Sequence, residues 1–182
     1  MSFSKLQLAP AILKAVTNCG YKHPTPVQAE AIPPALGGRD VIASAQTGTG
    51  KTAAFVLPAL QRLLQSSPKS RKGPSVLILT PTRELAEQIT QATRTYGRHL
   101  PFKSVTIVGG MPYRDQFRAL DQKPDLLIAT PGRLIDHMER GSVDLSSVHL
   151  LVLDEADRML DMGFIDDVEK ITAAVPGKRQ TL

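Results

Sequence analysis

The sequence predicts an α/β domain in which helices cover both faces of a central, mainly parallel sheet. Short apolar runs alternate with longer segments of helical periodicity, which is typical of strands joined by crossover helices. The runs contain few polar residues, as expected for strands that are buried on both faces. A glycine-rich turn follows one run and an acidic pair follows another. Because ligands of such sheets bind beyond the carboxyl ends of the strands, the sequence predicts three layers and one ligand-binding edge.

Two helices are predicted before residue 40. Apolar residues recur at helical spacing over 8–19, and the pattern predicts a helix that ends at Gly20. A second helix is predicted to begin at Pro26, with Thr25 as its N-cap.

The rest of the chain is predicted to alternate between strands and helices. Five strands are predicted, at 41–44, 76–79, 104–108, 126–129 and 150–153. Six further helices are predicted, at 51–65, 83–97, 111–121, 132–139, 155–161 and 164–174. Residues 175–182 resemble a turn that enters a sixth strand, so we expect the sequence to be a piece of a longer protein.

Residues 66–74 differ in composition from their neighbours. Serine, proline and glycine predict a surface loop there. Its three positive charges could contact a phosphate backbone, but a solvated loop is the favoured interpretation because charged loops are common at surfaces.

Composition narrows the class of protein without deciding its function. The 182 residues, 42% of them hydrophobic, suffice for one domain with a buried core. The net charge of +5 is compatible with a polyanionic partner but does not require one. Cys19 is the only cysteine, which excludes an intrachain disulfide within the sequence and fits a reducing compartment. No apolar run is long enough for a membrane span, so we expect no membrane partner. We also expect a cytoplasmic location, which the single cysteine fits, and a monomeric chain.

Residues 45–52 have the pattern of a phosphate-binding loop between a predicted strand and a predicted helix. Gly48 and Gly50 allow backbone shapes that point successive N–H groups at phosphate oxygens. Lys51 would supply a charge for the β- and γ-phosphates, and the Thr52 hydroxyl would coordinate Mg²⁺. Ala45 stands where the general pattern has glycine, but it is also small.

The acidic pair Asp154 and Glu155 follows the last predicted full strand. At that position Asp154 would hold Mg²⁺ through water, and Glu155 would orient and deprotonate the attacking water. The alternative is an acidic N-terminus that stabilises the next helix. The P-loop about 100 residues upstream favours the catalytic interpretation over this alternative.

These motifs together resemble the DEAD-box family of RNA helicases. Asp154-Glu-Ala-Asp157 is similar to its acidic motif, and Gly20–Gln28 is similar to its Q motif, with Phe3 as an upstream aromatic. Three further stretches are similar to its RNA-facing motifs, in the same order: Pro81-Thr-Arg-Glu-Leu-Ala86, Gly109-Gly110 and Thr130-Pro-Gly-Arg133. The resemblance covers essentially the whole chain and is greatest to bacterial RhlE-like members. It implies a RecA-like P-loop NTPase domain, the N-terminal one of two.

The resemblance implies a binding site for ATP or ADP with Mg²⁺. Gln28 would bond the adenine edge, Tyr21 would stack on the ring, and Phe3 would support the motif. Catalytic roles would fall to Lys51, Asp154 and Glu155, and metal binding to Thr52 and Asp154. The P-loop residues that would bind nucleotide are Ala45, Gln46, Thr47, Gly48, Thr49, Gly50, Lys51 and Thr52. A competing interpretation makes Thr25 and Gln28 a capping box of the helix.

The resemblance also implies that single-stranded RNA is bound through its backbone, without sequence specificity. The residues involved would be Pro81, Thr82, Arg83, Gly109, Gly110, Thr130, Pro131, Gly132 and Arg133. Each stretch has a plain alternative, because Arg83 could begin a charged helix face and Thr130-Pro131 is a good helix start. All three follow predicted strand ends, so we expect them along one rim of the sheet.

The implied activity of the complete protein is ATP-dependent separation of RNA duplexes by two closing domains. The C-terminal RecA-like domain and the Ser-Ala-Thr motif that Asp157 would contact are absent from these residues. We therefore expect weak nucleotide binding by this chain without unwinding. The rival classes are a P-loop ATPase acting on DNA or protein, and a non-enzymatic RNA-binding module.

Overall fold

The computed structural model describes residues 1–66 and 71–182. Within them the helices are α1 (Pro10–Asn18), α2 (Pro26–Leu36), α3 (Lys51–Gln65), α4 (Arg83–Tyr96), α5 (Tyr113–Asp121), α6 (Pro131–Glu139), α7 (Ala156–Asp161) and α8 (Ile165–Ala174), preceded by a 3-10 helix (Phe3–Leu6). The strands are β1 (Val76–Leu79), β2 (Ser104–Ile107), β3 (Leu126–Ala129), β4 (Leu150–Leu153) and β5 (Gln180–Thr181). No helix in the described ranges is long and apolar enough to cross a membrane.

The five strands form one parallel sheet in the order β2-β3-β1-β4-β5. Val76, which begins β1, pairs with Leu126 of β3 on one side and with Leu150 of β4 on the other. Parallel strands with helical crossovers confirm the predicted α/β class. The carboxyl ends of β1 to β4 therefore meet along one edge of the sheet.

Alternate residues of the central strands point to opposite faces, and each face has its own core. Val76 and Ile78 pack in the core that contains apolar side chains of α1, α3 and α4. Leu77 and Leu79 pack in the core that contains side chains of α6, α7 and α8. Full burial of one such side chain stabilises the fold by about 1.5–3 kcal/mol, so these two cores are what hold the three layers together.

Nearly all predicted elements are confirmed, with ends that differ by no more than two residues. Helix α3 has the predicted bounds, and the predicted helix at 111–121 begins two residues later, at Tyr113. The turn predicted to enter a sixth strand leads into β5. Gln180 anchors this strand, because its buried side-chain amide donates to the carbonyls of Ala35 and Arg39, each at 2.8 Å.

The strand predicted over 41–44 is wrong. The segment lies beside β5, but only the Val41 N–H makes a sheet-like bond, to the Thr181 carbonyl at 3.1 Å. Strand β5 has two residues and offers no further partner to the segment. Ile42 is consequently fully exposed, although its apolar neighbours in sequence predict a buried strand.

The loop predicted over 66–74 lies partly outside the described residues, since 67–70 are not described. Arg71 forms a salt bridge with Asp125 and donates to the Ser75 hydroxyl at 3.1 Å. Its charge is therefore compensated within the protein, which argues against a role for Arg71 in binding phosphate.

Candidate functional site

The loop before α3 has a backbone suited to phosphate. Gly48 and Gly50 have φ values of +82° and +83°, in the left-handed region that favours glycine. Helix α3 begins at Lys51, so its free N–H groups and positive dipole end lie directly after the loop. Inside the loop, the Thr49 hydroxyl donates to the Gln46 carbonyl at 2.5 Å. Gln46, Thr47 and Gly48 are exposed, which leaves this stretch open to a ligand.

Gln28 connects helix α2 to this loop. Its side-chain oxygen accepts from the Thr25 N–H at 3.0 Å, and its own N–H donates to the Thr25 hydroxyl at 3.4 Å. Both halves of the capping box are present, so the capping interpretation is confirmed. The Gln28 side-chain nitrogen also donates to the Gly50 carbonyl at 3.0 Å. The adenine-reading role of Gln28 stays a prediction.

The two aromatic residues of the predicted nucleotide site have different environments. Tyr21 is 53% exposed and lies near Tyr96. Burial raises the pKa of the Tyr96 phenol, and neighbouring Tyr21 raises it further. Phe3 is buried, and its 3-10 helix packs on α2. Tyr21 is accessible to a ligand, whereas Phe3 lies in the core.

Asp154 lies at the carboxyl end of β4, where it shares a site with the P-loop lysine. It is only 8% exposed, and its carboxylate accepts from the Thr80 hydroxyl at 3.1 Å. Burial raises the pKa of Asp154, while the Thr80 hydrogen bond and the positive charge of Lys51 partly offset that effect. The charge of Lys51 therefore acts on the Asp154 carboxylate, so the two side chains are near each other.

Glu155 follows with an unusual backbone. Its φ of +52° lies in the left-handed region, which costs a non-glycine residue about 1–3 kcal/mol and is frequent at functional sites. Glu155 precedes α7 as its N-cap residue, but its side chain makes no capping bond and instead pairs with Arg158 at 3.4 Å. Asp157 is exposed in the first turn of α7. The helix-stabilising alternative is therefore better suited to Asp157 than to Glu155.

The loops after β1, β2 and β3 converge on one surface depression. The residues that line it are Pro81, Arg83, Gly109, Thr130, Gly132, Arg133, Asp136 and Phe164. We call residues 81–83, 109–110 and 130–133 the three-loop side of the sheet edge. Residues 45–52 with Asp154 and Glu155 form the P-loop side. The three stretches predicted to share a rim do so.

Two arginines project from the three-loop side. Arg133 donates to the Met111 carbonyl at 2.7 Å, and its guanidinium carbon lies 4.0 Å from the centre of the Tyr113 ring. Arg83 is exposed and lies beside Gly110, where an added Cβ would be 3.1 Å from its guanidinium. Neither arginine forms a salt bridge among the described residues. Both charges are therefore available to an anionic ligand.

The sequence left open that residues of the three-loop side only begin helices, and this alternative has a different outcome at Thr82 and at Thr130. The Thr82 hydroxyl caps α4, because it accepts from the Leu85 N–H at 3.2 Å. Thr130 and Pro131 do begin α6, but the Thr130 hydroxyl makes no capping bond. The capping role is thus confirmed for Thr82, whereas the Thr130 hydroxyl does not cap its helix.

Several site residues were not predicted from the sequence. Thr80 holds Asp154, Gln116 bonds Arg133 at 3.1 Å, and Asp136 and Phe164 line the depression. The position of Thr80 at the end of β1 was a usable signal, because strand ends meet at the ligand edge. The other three lie on or next to helices whose packing brings them to this surface, and sequence spacing carries no such information.

Comparison with known proteins gives the family. The model of the DEAD/DEAH box helicases matches residues 25–182. The chain belongs to this family. ATP-dependent RNA helicase DeaD of Escherichia coli K12 is 50% identical over 181 residues, which are 99% of this chain and 28% of that helicase. ATP-dependent RNA helicase SrmB of the same organism is 47% identical, over 100% of this chain and 41% of its own length. A probable ATP-dependent RNA helicase, ddx27 of Dictyostelium discoideum, is 48% identical over 100% of this chain and 23% of its own length.

The chain thus spans well under half the length of these family members. The RhlE-like subtype stays a prediction, since the similarity just described is to other helicases of the family.

Proposed function

We propose that this chain is the N-terminal RecA-like domain of an ATP-dependent RNA helicase. It would bind ATP on the P-loop side and the backbone of single-stranded RNA on the three-loop side. The observation that carries the proposal is the position of both sides on one edge of a single sheet. Thr80 lies between them, because its hydroxyl donates to Asp154 and the next residue, Pro81, belongs to the three-loop side. The names of the similar helicases support the choice of ATP and RNA.

The residues of the P-loop side fit a nucleotide with Mg²⁺. Gly48 and Gly50 already have the positive φ that a phosphate cradle requires, and Lys51 would act on the same ligand as Asp154. Oxygen donors of the kind Mg²⁺ prefers come from Thr52 and Asp154. When bound, the ion would neutralise charge that develops on the phosphates. Glu155 would act as the base that orients and deprotonates water.

The residues of the three-loop side fit a sugar-phosphate backbone. Arg83 and Arg133 form no salt bridge among the residues that the structure describes, and the Thr130 hydroxyl is not used as a helix cap. Contacts of this kind carry little base information, so binding would be sequence-independent and sensitive to salt. Preference for RNA would come from contacts to 2′-hydroxyl groups.

The activity of the whole protein is part of the same proposal. Duplex separation would need a C-terminal RecA-like domain that closes on this one, with Asp157 as a coupling residue. An arginine supplied by a partner domain accelerates phosphoryl transfer by about 10³–10⁵ in comparable sites. We therefore expect this chain alone to bind nucleotide weakly and to unwind nothing. Its cytoplasmic location and monomeric state stay predictions.

A nucleotide titration tests the P-loop side. Adenine and guanine nucleotides are titrated with Mg²⁺ into the parent, into Gln28→Ala and into Thr25→Ala. Thr25→Ala is the matched control, because it removes the hydroxyl half of the capping box and leaves the Gln28 carboxamide in place. We expect adenine selectivity in the parent and in Thr25→Ala, and its loss in Gln28→Ala. Equal loss of adenine selectivity in both variants would mean that Gln28 acts only as a helix cap. If the parent binds no nucleotide, the proposed nucleotide site is rejected.

The rival functions need a different measurement. Binding of labelled RNA in the presence of ATP is competed with unlabelled RNA and with DNA of equal length. Stronger competition by RNA supports the proposal, whereas stronger competition by DNA, or no binding to either, favours the ATPase acting on DNA or protein.

A further inference from the structure

Gln116, on helix α5, lies beneath the three-loop side and belongs to none of its motifs. It is only 5% exposed, yet it carries a polar side chain with two donors and an acceptor. A buried carboxamide of this kind is costly unless its partners are in place.

The hydrogen bonds of Gln116 fix the orientation of its side chain. Its nitrogen donates to the Val108 carbonyl at 2.9 Å, directly before the Gly109-Gly110 loop. The side-chain oxygen is therefore the acceptor for Arg133 Nη1 at 3.1 Å and for His137 Nε2 at 2.8 Å. Because His137 is fully buried and its other ring nitrogen bonds the Ser142 hydroxyl at 2.8 Å, the histidine cannot turn away. One side chain thus joins the loop after β2 to helix α6.

The same bonds determine which part of Arg133 is left for a ligand. Nη1 has two N–H donors, and both are used, by the Met111 carbonyl and by the Gln116 oxygen. Nε and Nη2 make no hydrogen bond within the described residues, so three donors remain. The guanidinium is also stacked on Tyr113, which limits its rotation. Both oxygen acceptors are neutral, and the positive charge of Arg133 is therefore not cancelled.

We propose that Gln116 is a positioning residue, which holds Arg133 in the orientation that binds an RNA phosphate while leaving its charge intact. A carboxylate at this position would still accept from the arginine, but it would lose the bond to the Val108 carbonyl and would neutralise the arginine charge. The proposal rests on the proposed RNA binding by the three-loop side. It adds that a residue outside the loops, with no access to RNA itself, sets the strength of that binding.

A double-mutant cycle tests this role in the present chain. Binding of a fluorescent single-stranded uridine oligonucleotide is measured for the parent, Gln116→Met, Arg133→Ala and the double variant. Methionine matches glutamine in length and offers no comparable acceptor to the arginine. We expect Gln116→Met to weaken binding about three- to tenfold in the parent but less than twofold when Arg133 is already alanine. Gln122→Met, at the exposed end of α5, is the control and should bind as the parent does.

Equal weakening in both backgrounds, or none in either, would overturn the positioning role, because a general packing defect does not depend on Arg133. A different result would show that the three-loop side does not bind RNA at all: Arg83→Ala and Arg133→Ala would both bind RNA as tightly as the parent. In that case the positioning role of Gln116 would also be rejected.

A second variant keeps the test decisive if Gln116→Met does not fold. Gln116→Glu retains the acceptor for Arg133 and His137, loses the donor to the Val108 carbonyl and adds a negative charge. We expect RNA affinity close to that of Arg133→Ala, and a dependence of log affinity on log salt that is shallower by about 0.7, which corresponds to one phosphate contact. Parent-like affinity with a parent-like slope would contradict the proposal.

Discussion

The two sides of the sheet edge differ in how far the protein itself organises them. On the three-loop side, Arg133 and Gln116 link the loop after β2 to α6, and Thr82 caps α4. On the P-loop side, exposed residues 46–48 follow a segment with a single sheet-like bond. The P-loop is otherwise held by the Gln28 contact to Gly50 and the Thr49 contact to Gln46.

The difference has a physical consequence for the two proposed ligands. A preformed surface loses little conformational entropy on binding, so the three-loop side should bind with small changes in structure. On the P-loop side, Gly48 and Gly50 have the required positive φ, but few hydrogen bonds hold the loop, so it should lose more conformational entropy on binding. We infer that a nucleotide would stabilise its site more than RNA would stabilise the three-loop side.

The largest expected effect is on ATP hydrolysis, from a change on the P-loop side that should leave binding intact. In the complete protein, Glu155→Gln should lower ATP hydrolysis by about 10²–10⁴, because general base catalysis is lost. Affinity for ATP and for RNA should stay within about threefold of the parent, since Glu155 is assigned no binding role and amide and carboxylate have similar size. Steady-state assays measure the rate of ATP hydrolysis, and equilibrium titrations measure the affinities for ATP and RNA. Asp161→Asn, in the last position of α7, is the control. Normal hydrolysis by the glutamine variant would remove Glu155 from the chemistry.

An intermediate effect is expected at Thr80, which lies on the border between the two sides. Its N–H donates to the Ala129 carbonyl at 3.1 Å, and its hydroxyl donates to Asp154. Thr80→Val would leave the buried carboxylate without this donor and should cost about 1–3 kcal/mol of unfolding free energy.

Urea denaturation measures this cost, with Thr80→Ser as the control that keeps the hydroxyl. If valine proves as stable as serine, the hydrogen bond to Asp154 contributes nothing, and the two sides are not linked at this point.

The smallest expected effect concerns pH and the three-loop side. Burial lowers the pKa of His137, and the nearby charge of Arg133 lowers it further. The unfolded chain, with a histidine pKa of about 6.5, therefore binds a proton more readily than the folded chain. Stability from neutral His137 is complete above that value and is lost as pH falls from there towards the lowered folded pKa. Burial lowers the pKa of His149 as well, so it adds to the same trend.

Unfolding free energies measured at several pH values between about 7.5 and 5 check this loss of stability. Each histidine can change the unfolding free energy by at most about 1.4 kcal/mol per pH unit. His137→Gln should flatten the dependence, whereas His99→Gln, at an exposed position, should not. Stability that rises as the pH falls through this window in the parent but not in His137→Gln would mean that the buried histidine is protonated in the fold.

The sequence predicted the fold where local pattern and tertiary structure agree. Apolar runs such as 76–79 became buried strands because neighbours on both sides complete their hydrogen bonds. The run at 41–44 is also mostly apolar but has only the short β5 beside it, and strand pairing is not a local property. The P-loop and the acidic pair were predicted from their patterns at strand ends, and the other motif residues from the resemblance to the helicase family. Gln116 was not, because its role depends on how α5 packs against α6.

The most direct test of the two-sided account is hydrogen exchange of this chain, measured free, with ADP and Mg²⁺, and with single-stranded RNA. In the free chain, amides of residues 42–48 should exchange rapidly, because few of them are bonded. Nucleotide should slow exchange over 42–52 by about tenfold or more and leave the three-loop side nearly unchanged. RNA should slow exchange at 109–111 and 132–133 and leave the P-loop unchanged. Slow exchange of the P-loop in the free chain, or protection of one and the same side by both ligands, would contradict the account.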